Sequence, residues 1–188
     1  MNRAHAVVCS SGRWARRVEH ELLPWSLRGL DLGEDALEIG PGFGATTSVL
    51  ARGSGALTVL ELSEGYCQRL RRKLGDSVEI VQADATAMPF ADGRFSSVVC
   101  FTMLHHVPTP QLQDRLLAEA ARVLRPGGLF AGTDSLGTGR AFKLLHVRDT
   151  LVPVAPDELP ARLERAGLIE PHVDTDGGSF RFRARKPL

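Results

Sequence analysis

The sequence predicts an α/β domain built on a doubly wound, mainly parallel sheet, and three observations point to this fold class. From residue 35 onward, short strand-like runs alternate with amphipathic stretches of helical period, as expected of repeated strand–helix units. The run 98–101 is apolar throughout, which is typical of a strand covered by helices on both faces. A glycine-rich turn joins the first predicted strand to the following helix, where open α/β sheets commonly hold a ligand.

The first 34 residues are expected to form a helical segment that caps a single domain spanning residues 35–188. A helix is predicted over residues 12–29, because apolar side chains recur there at spacings of four, four and three residues, on one face. These side chains are Trp14, Val18, Leu22 and Trp25.

Five strands and three helices follow along the chain. The strands are predicted at residues 36–39, 57–60, 78–81, 95–101 and 129–133. The helices are predicted at residues 46–52, 63–74 and 111–124. Ser63 is expected to cap the second of these helices, and Pro126-Gly127-Gly128 is expected to break the chain after the third. Connections of this kind produce parallel strands.

The carboxyl-terminal part departs from this alternation. A helix is predicted at residues 156–166, ended by Gly167. Residues 168–174 and 179–185 are predicted as two strands around Asp176-Gly177-Gly178, a turn typical of hairpins. The sheet is therefore expected to gain an antiparallel edge.

Composition argues against several classes of function. Lys and Arg number 23 against 22 Asp and Glu, a net charge of +1, unlike a nucleic-acid-binding or polybasic membrane protein. The three cysteines are far apart, which predicts free thiols in a reducing compartment. Since no stretch approaches the roughly 20 apolar residues of a membrane span, we expect a cytoplasmic protein, monomeric or homodimeric, without nucleic-acid or membrane partners.

The segment 37–45, Leu-Glu-Ile-Gly-Pro-Gly-Phe-Gly-Ala, carries the most specific signal in the chain. Gly40 and Gly42 permit positive φ angles and put no Cβ in the way of a ligand. Glu61 follows Gly40 by 21 positions at the end of the second strand, where an acidic residue can accept both hydroxyls of a ribose. Asp84 ends the third strand, beside the expected position of an adenine. Together these residues predict a nucleoside pocket.

Two nucleoside ligands fit this pattern. Gly40, Gly42 and Ala45 satisfy the G-x-G-x-x-A pattern of dinucleotide sites, in which a pyrophosphate lies at the helix N-terminus. S-adenosylmethionine would instead place a zwitterionic amino acid there. Glu38 favours the second ligand, because a carboxylate is unfavourable beside a pyrophosphate and favourable beside a cation.

Four stretches, in order, resemble those of the class I S-adenosylmethionine-dependent methyltransferases, of the small-molecule type similar to the ubiquinone and menaquinone C-methyltransferases. They are residues 37–44, residues 59–63, residues 82–90 with 95–99, and residues 123–129. The resemblance covers residues 35–186. It implies a Rossmann-like, three-layer α/β/α sandwich whose seven strands are ordered 3-2-1-4-5-7-6, with strand 7 antiparallel. The implied cofactor is S-adenosylmethionine, and the product is S-adenosylhomocysteine.

The resemblance also implies which residues bind the cofactor. Gly40 and Gly42 would line its methionine part, and Glu61 would bind the ribose hydroxyls. Asp84 would accept a hydrogen bond from the adenine amino group, while Ala85 would offer its backbone N–H. The implied set is Glu38, Gly40, Pro41, Gly42, Glu61, Leu62, Asp84, Ala85 and Phe101.

Methyl transfer requires mainly that the acceptor atom lie about 3 Å from the methyl group, in line with the leaving sulfur. A general base is needed only for a weak nucleophile. His105 and His106, after the fourth strand, are the candidate catalytic residues, because imidazole takes up a proton near neutral pH. A purely structural role stays open for both. The other polar residues expected nearby are Thr102, Asp134, His146 and Asp149.

No metal site is predicted, because the spacing of His105, His106, Asp134 and His146 matches no ligand signature. The function predicted is methyl transfer from S-adenosylmethionine to a small-molecule acceptor. An NAD(P)-dependent oxidoreductase with the same glycine loop and a catalytically silent nucleoside-binding protein are the alternatives.

Overall fold

The computed structural model describes residues 2–53 and 55–188, and within them the chain forms one seven-stranded sheet. Its strands are β1 Asp35–Ile39, β2 Ala56–Glu61, β3 Glu79–Gln82, β4 Phe95–Phe101, β5 Leu124–Ser135, β6 Ile169–Asp176 and β7 Ser179–Arg185. The strand order is β3-β2-β1-β4-β5-β7-β6. Strands β1 to β5 pair in parallel, whereas β7 runs antiparallel to both β5 and β6. The predicted fold class and strand order are confirmed.

Helices flank the sheet. They are α1 Arg3–Cys9, α2 Gly12–Arg17, α3 Leu23–Ser26, α4 Ala45–Gly53, α5 Glu64–Leu74, α6 Pro110–Val123, α7 Arg140–Leu145 and α8 Leu159–Arg165. A π-helical turn at Val18–Leu22 joins α2 to α3, and short 3₁₀ turns lie at Gly75–Ser77 and Leu104–His106. In the described part of the chain, the helices are too short or too polar to cross a membrane.

Successive residues of β4 face opposite sides of the sheet, and each side has its own apolar core. Val98 and Cys100 belong to one cluster, with side chains of α6 and α8. Val99 and Phe101 belong to the other, with side chains of the π turn, α4 and α5. Burial on both faces accounts for the uninterrupted apolar run in this strand.

The N-terminal region differs from the single helix predicted at residues 12–29. The helical stretch is split by the π turn just before Pro24, which lacks the N–H that a continuous α-helix needs there. An additional helix, α1, precedes it. Contacts attach the region to the domain: Arg181 donates to Trp25 O at 2.6 Å, and Arg52 donates to Glu19 at 2.5 Å.

The start of β5 is a second difference. A chain break was expected at Pro126-Gly127-Gly128, yet the strand begins at Leu124, which pairs with Phe95. The register then shifts, so that the next pair joins Leu129 to Ser97. Gly127, with φ of +74°, allows the irregular backbone at this point. The break is therefore a bulge within the strand.

Gly132 lies at the centre of the sheet, in β5 between Cys100 of β4 and Phe182 of β7. A Cβ at this position would overlap Cys100 O and approach two ring carbons of Phe182 to 3.0 Å. The Phe182 ring packs edge-on against Phe130, with 5.1 Å between the ring centroids. The absent side chain of Gly132 thus permits the aromatic packing across the sheet.

We therefore expect Gly132→Ala to lower the free energy of unfolding by about 1–3 kcal/mol, because the added methyl group meets backbone that cannot easily move. Denaturant unfolding measures the change. Gly178→Ala is the matched control, since a Cβ there meets no atom of the described residues within 4 Å. Equal unfolding midpoints for the two variants would contradict this account of the packing.

Candidate active site

The glycine loop connects β1 to α4 at the carboxyl edge of the sheet. Gly40, Gly42 and Gly44 have φ angles of +66°, +54° and +70°. A Cβ at Gly40 would lie 3.0 Å from Met103 Cε, whereas a Cβ at Gly42 would enter open space. The loop is thus packed against the segment after β4 at one glycine and open at the next, where a ligand could approach the backbone.

Glu61 binds the end of β2 to this loop. The side chain is buried, and its Oε2 accepts the Gly42 N–H at 3.1 Å. Its Oε1 accepts the Ser63 N–H at 2.9 Å. Both carboxylate oxygens are therefore held at the rim of the loop.

Ser63 occupies the N-cap position of α5, but its side chain accepts no capping bond from the described residues, so the predicted serine cap is wrong.

Glu38 is fully buried beneath the loop. Its Oε1 accepts the Thr46 hydroxyl, while its Oε2 has no hydrogen-bond partner among the described residues. Burial raises the pKa of Glu38 to about 7, although the hydroxyls of Thr46 and Thr47 oppose the shift. A buried oxygen without a hydrogen-bond partner costs free energy of folding. The unpartnered Oε2 of Glu38 suits a site that receives a cationic ligand group.

The remaining predicted cofactor residues differ in exposure. Asp84 is exposed and accepts the Thr86 N–H at 2.8 Å, next to half-buried Ala85. Leu62 is 67% exposed, and Phe101 lies in the apolar core. Half-buried Pro41 lies within the loop itself, where its carbonyl accepts the Gly44 N–H at 2.9 Å.

A second group of polar residues lies at the carboxyl ends of β4 and β5, at the same edge of the sheet. The carboxylate of Asp134 accepts the His105 N–H at 2.9 Å and also contacts Nδ1 of the His105 ring. Both residues are buried. Thr102 adopts a positive φ of 52° immediately after β4, and its N–H donates to Thr133 O. Asp134 therefore fixes the orientation of the His105 imidazole.

Four histidines meet here, of which the sequence predicted three as neighbours. His106 and His146 lie with ring centroids 5.3 Å apart, and His5 from α1 lies 5.2 Å from His106 and 4.3 Å from His146. The ring of His105 lies 4.2 Å from that of His106. His5 was missed because it precedes the other histidines by about a hundred residues, and local sequence carries no signal of this contact.

Three of these rings contact oxygen atoms of the segment 142–150 through Nδ1. His5 Nδ1 lies 3.2 Å from Asp149 Oδ2, His106 Nδ1 lies 3.2 Å from Thr150 O, and His146 Nδ1 lies 2.7 Å from Phe142 O. Burial lowers the pKa of His5, and burial together with the neighbouring His105 lowers the pKa of His106 to about 4. His5 and His106 are therefore neutral imidazoles at pH 7.

Gln113 of α6 connects two backbone segments next to the histidine group by hydrogen bonds. Its Nε2 donates to Leu104 O at 3.1 Å and to Val152 O at 2.8 Å, and the Val152 N–H donates to His105 O at 2.8 Å. Arg162 of α8 donates in turn to Gln113 Oε1 at 3.1 Å. The loop that follows α7 is thereby tied to the turn that carries His105.

Comparison with known proteins identifies the family. The family model described as a methyltransferase domain matches residues 37–132. A demethylmenaquinone methyltransferase from Clavibacter sepedonicus is 38% identical over 98 residues, which are 51% of this chain and 39% of that protein. A 27-O-demethylrifamycin SV methyltransferase from Amycolatopsis mediterranei is 32% identical over 167 residues, which are 80% of this chain and 59% of that protein.

The solved structures agree in fold. A crystal structure of an S-adenosylmethionine-dependent methyltransferase from Thermotoga maritima superposes with a TM-score of 0.77 at 20% identity, covering 97% of each chain. The chain spans between about two fifths and three fifths of the length of the two curated relatives named above. The family model nevertheless covers half of this chain. The chain therefore belongs to the methyltransferase domain family, among the class I S-adenosylmethionine-dependent methyltransferases.

Proposed function

We propose that this chain transfers the methyl group of S-adenosylmethionine to a small-molecule acceptor. One observation carries the proposal: the glycine loop holds two buried carboxylates, and Glu38 keeps an oxygen without a partner among the described residues. That arrangement fits a ligand with a cationic amino acid end. A pyrophosphate would instead be repelled by it.

Each residue of the proposed pocket would bind a different part of the cofactor. Glu38 would accept the ammonium group of the methionine part, and the open face of Gly42 would admit its backbone. Glu61 would accept the ribose hydroxyls, and Asp84 with Ala85 would recognise the adenine. Pro41, Leu62 and Phe101 would supply apolar walls. When bound, S-adenosylmethionine supplies a methyl group activated by a positively charged sulfur.

The acceptor would lie on the side of the histidines. We assign His105 and His106 as the residues that contact it, with Asp134 holding the His105 ring in position. Residues 1–34 would cap this side, since His5 of α1 reaches the same group. The chain's task is to align the acceptor atom with the methyl group and to exclude water.

The class of acceptor follows from charge and from the relatives. A net charge of +1 gives little attraction for nucleic acid. The relatives are named for demethylmenaquinone, 27-O-demethylrifamycin SV and fatty acids. These names support a small-molecule acceptor, and we propose a cytoplasmic enzyme that acts as a monomer or homodimer.

Calorimetry tests the proposal against its alternatives. Titration with S-adenosylmethionine, S-adenosylhomocysteine and NADPH should show binding of the first two only. A screen of small-molecule acceptors that detects released S-adenosylhomocysteine then separates an enzyme from a silent binding protein. Binding of NADPH without binding of the methyl donor would overturn the proposal.

We expect Glu61→Ala to weaken the binding of S-adenosylmethionine by roughly 1–3 kcal/mol, because both ribose hydroxyls lose a charged acceptor. Titration calorimetry measures the loss. The control is Glu64→Ala, which removes an exposed carboxylate three residues further along, at the start of α5. If both variants bound the cofactor as tightly as the parent chain, Glu61 would have no part in the pocket.

The raised pKa of Glu38 predicts a dependence of cofactor affinity on pH. Below pH 7 the buried carboxyl is mostly protonated, whereas a bound ammonium group favours the carboxylate. Binding should therefore release a proton, and affinity should rise with pH until it levels off above pH 7. With a pKa of about 7, we expect roughly tenfold weaker binding at pH 6 than at pH 8.

Calorimetry in two buffers of different ionisation enthalpy counts the released protons. Glu38→Gln is the matched control, because an amide of the same shape does not titrate. In that variant the rise in affinity between pH 6 and pH 8 should disappear. A rise that persisted in Glu38→Gln would assign the titration to another group.

A further inference from the structure

We infer that His5, His106 and His146 form a binding site for one divalent transition-metal ion, with zinc as the ion that their chemistry suits. The inference goes beyond methyl transfer, since binding of the ion by these three rings does not depend on the cofactor. It rests on two features of the histidine group.

The first feature is convergence. One ring nitrogen from each of the three histidines lies within 4.8 Å of the others, a grouping found by searching the described residues. A tetrahedral zinc ion with Zn–N distances of about 2.1 Å holds its ligand nitrogens roughly 3.4 Å apart. Small rotations of the rings therefore complete the site. His5 and His146 are buried and His106 is half-buried, so the group is largely removed from bulk water.

The second feature is the set of oxygens behind the rings. Nδ1 of each histidine contacts Asp149 Oδ2, Thr150 O or Phe142 O. Carbonyl and carboxylate oxygens only accept hydrogen bonds, so Nδ1 is the donor in each contact, and Nε2 is the nitrogen left to bind a metal ion. Metal-binding histidines are held in this way, each donating its second N–H to a carboxylate or carbonyl.

Charge and ligand type select the ion. Asp134 and Asp149 place two carboxylates next to the rings, which favours a cation there. Imidazole nitrogens favour zinc, cobalt, nickel and copper over magnesium and calcium, which prefer oxygen. Three protein ligands leave a fourth coordination position open.

The ion would join three separate parts of the chain: α1, the turn after β4, and the residue that follows α7. It would close the N-terminal segment over the acceptor side and offer its open position to an oxygen or nitrogen of the acceptor. This role rests on the proposed function, whereas the binding of the ion does not.

Metal titration of the untagged chain, stripped with a chelator, tests the inference. We expect one zinc ion bound per chain by calorimetry, and a visible absorption band of tetrahedral cobalt when cobalt chloride replaces zinc chloride. His146→Ala and His5→Ala should each weaken zinc binding at least about tenfold. His20→Ala and His172→Ala are matched controls, since both histidines are exposed and lie outside the group.

Thermal unfolding keeps the test decisive if one variant folds poorly. Zinc should raise the Tm of the parent chain and of both controls, because a ligand of the native state stabilises it. It should not raise the Tm of His5→Ala, whose substitution lies outside the sheet and its cores. The inference would be overturned if the parent chain failed to bind zinc, or if His5→Ala and His146→Ala bound zinc as tightly as the parent chain. Cofactor binding by the metal-free chain tests the proposed function separately.

Discussion

The pairing of β1 with β4 is the constraint on which the rest of the site depends. Chain order reverses at this pair, because β2 and β3 extend the sheet on one side and β5 on the other. The connections that leave β1 and β4 therefore diverge at the carboxyl edge, where sheets of this kind hold a ligand in a crevice. The glycine loop follows β1, and the turn bearing His105 follows β4. The Met103 side chain lies between them, beside the position that a Cβ at Gly40 would occupy.

The parts of this architecture that local sequence encodes could be predicted. Burial on both faces makes β4 apolar throughout, and alternating apolar and basic residues mark β7, so strand positions follow from pattern. Glu61 could be placed because its distance from Gly40 reflects one strand–helix–strand unit. These signals depend on residues that are close along the chain or on a fixed connection length.

The features that could not be predicted depend on tertiary contacts. His5 joins the other histidines only because α1 folds back onto the segment after α7. The bulge at Gly127 reflects pairing of β5 with a neighbouring strand, which a turn-like sequence does not reveal. Ser63 is a separate case, since it has the residue type and position of a cap, yet its side chain accepts no capping bond from the described residues. At His5 and at Gly127 a distant partner overrides the local preference.

The hydrogen bonds of Gln113 link α8 to the histidine group, which we propose to face the acceptor. Arg162 orients the Gln113 amide, and that amide holds the carbonyls of Leu104 and Val152. A substitution in α8 that moved Arg162 would therefore also move the Gln113 amide. The displacement would reach the imidazole rings through the backbone that this amide holds, without direct contact between α8 and the rings. Selection for a new acceptor would then enrich changes on the outer helices as well as in the crevice, and the two sets would be epistatic.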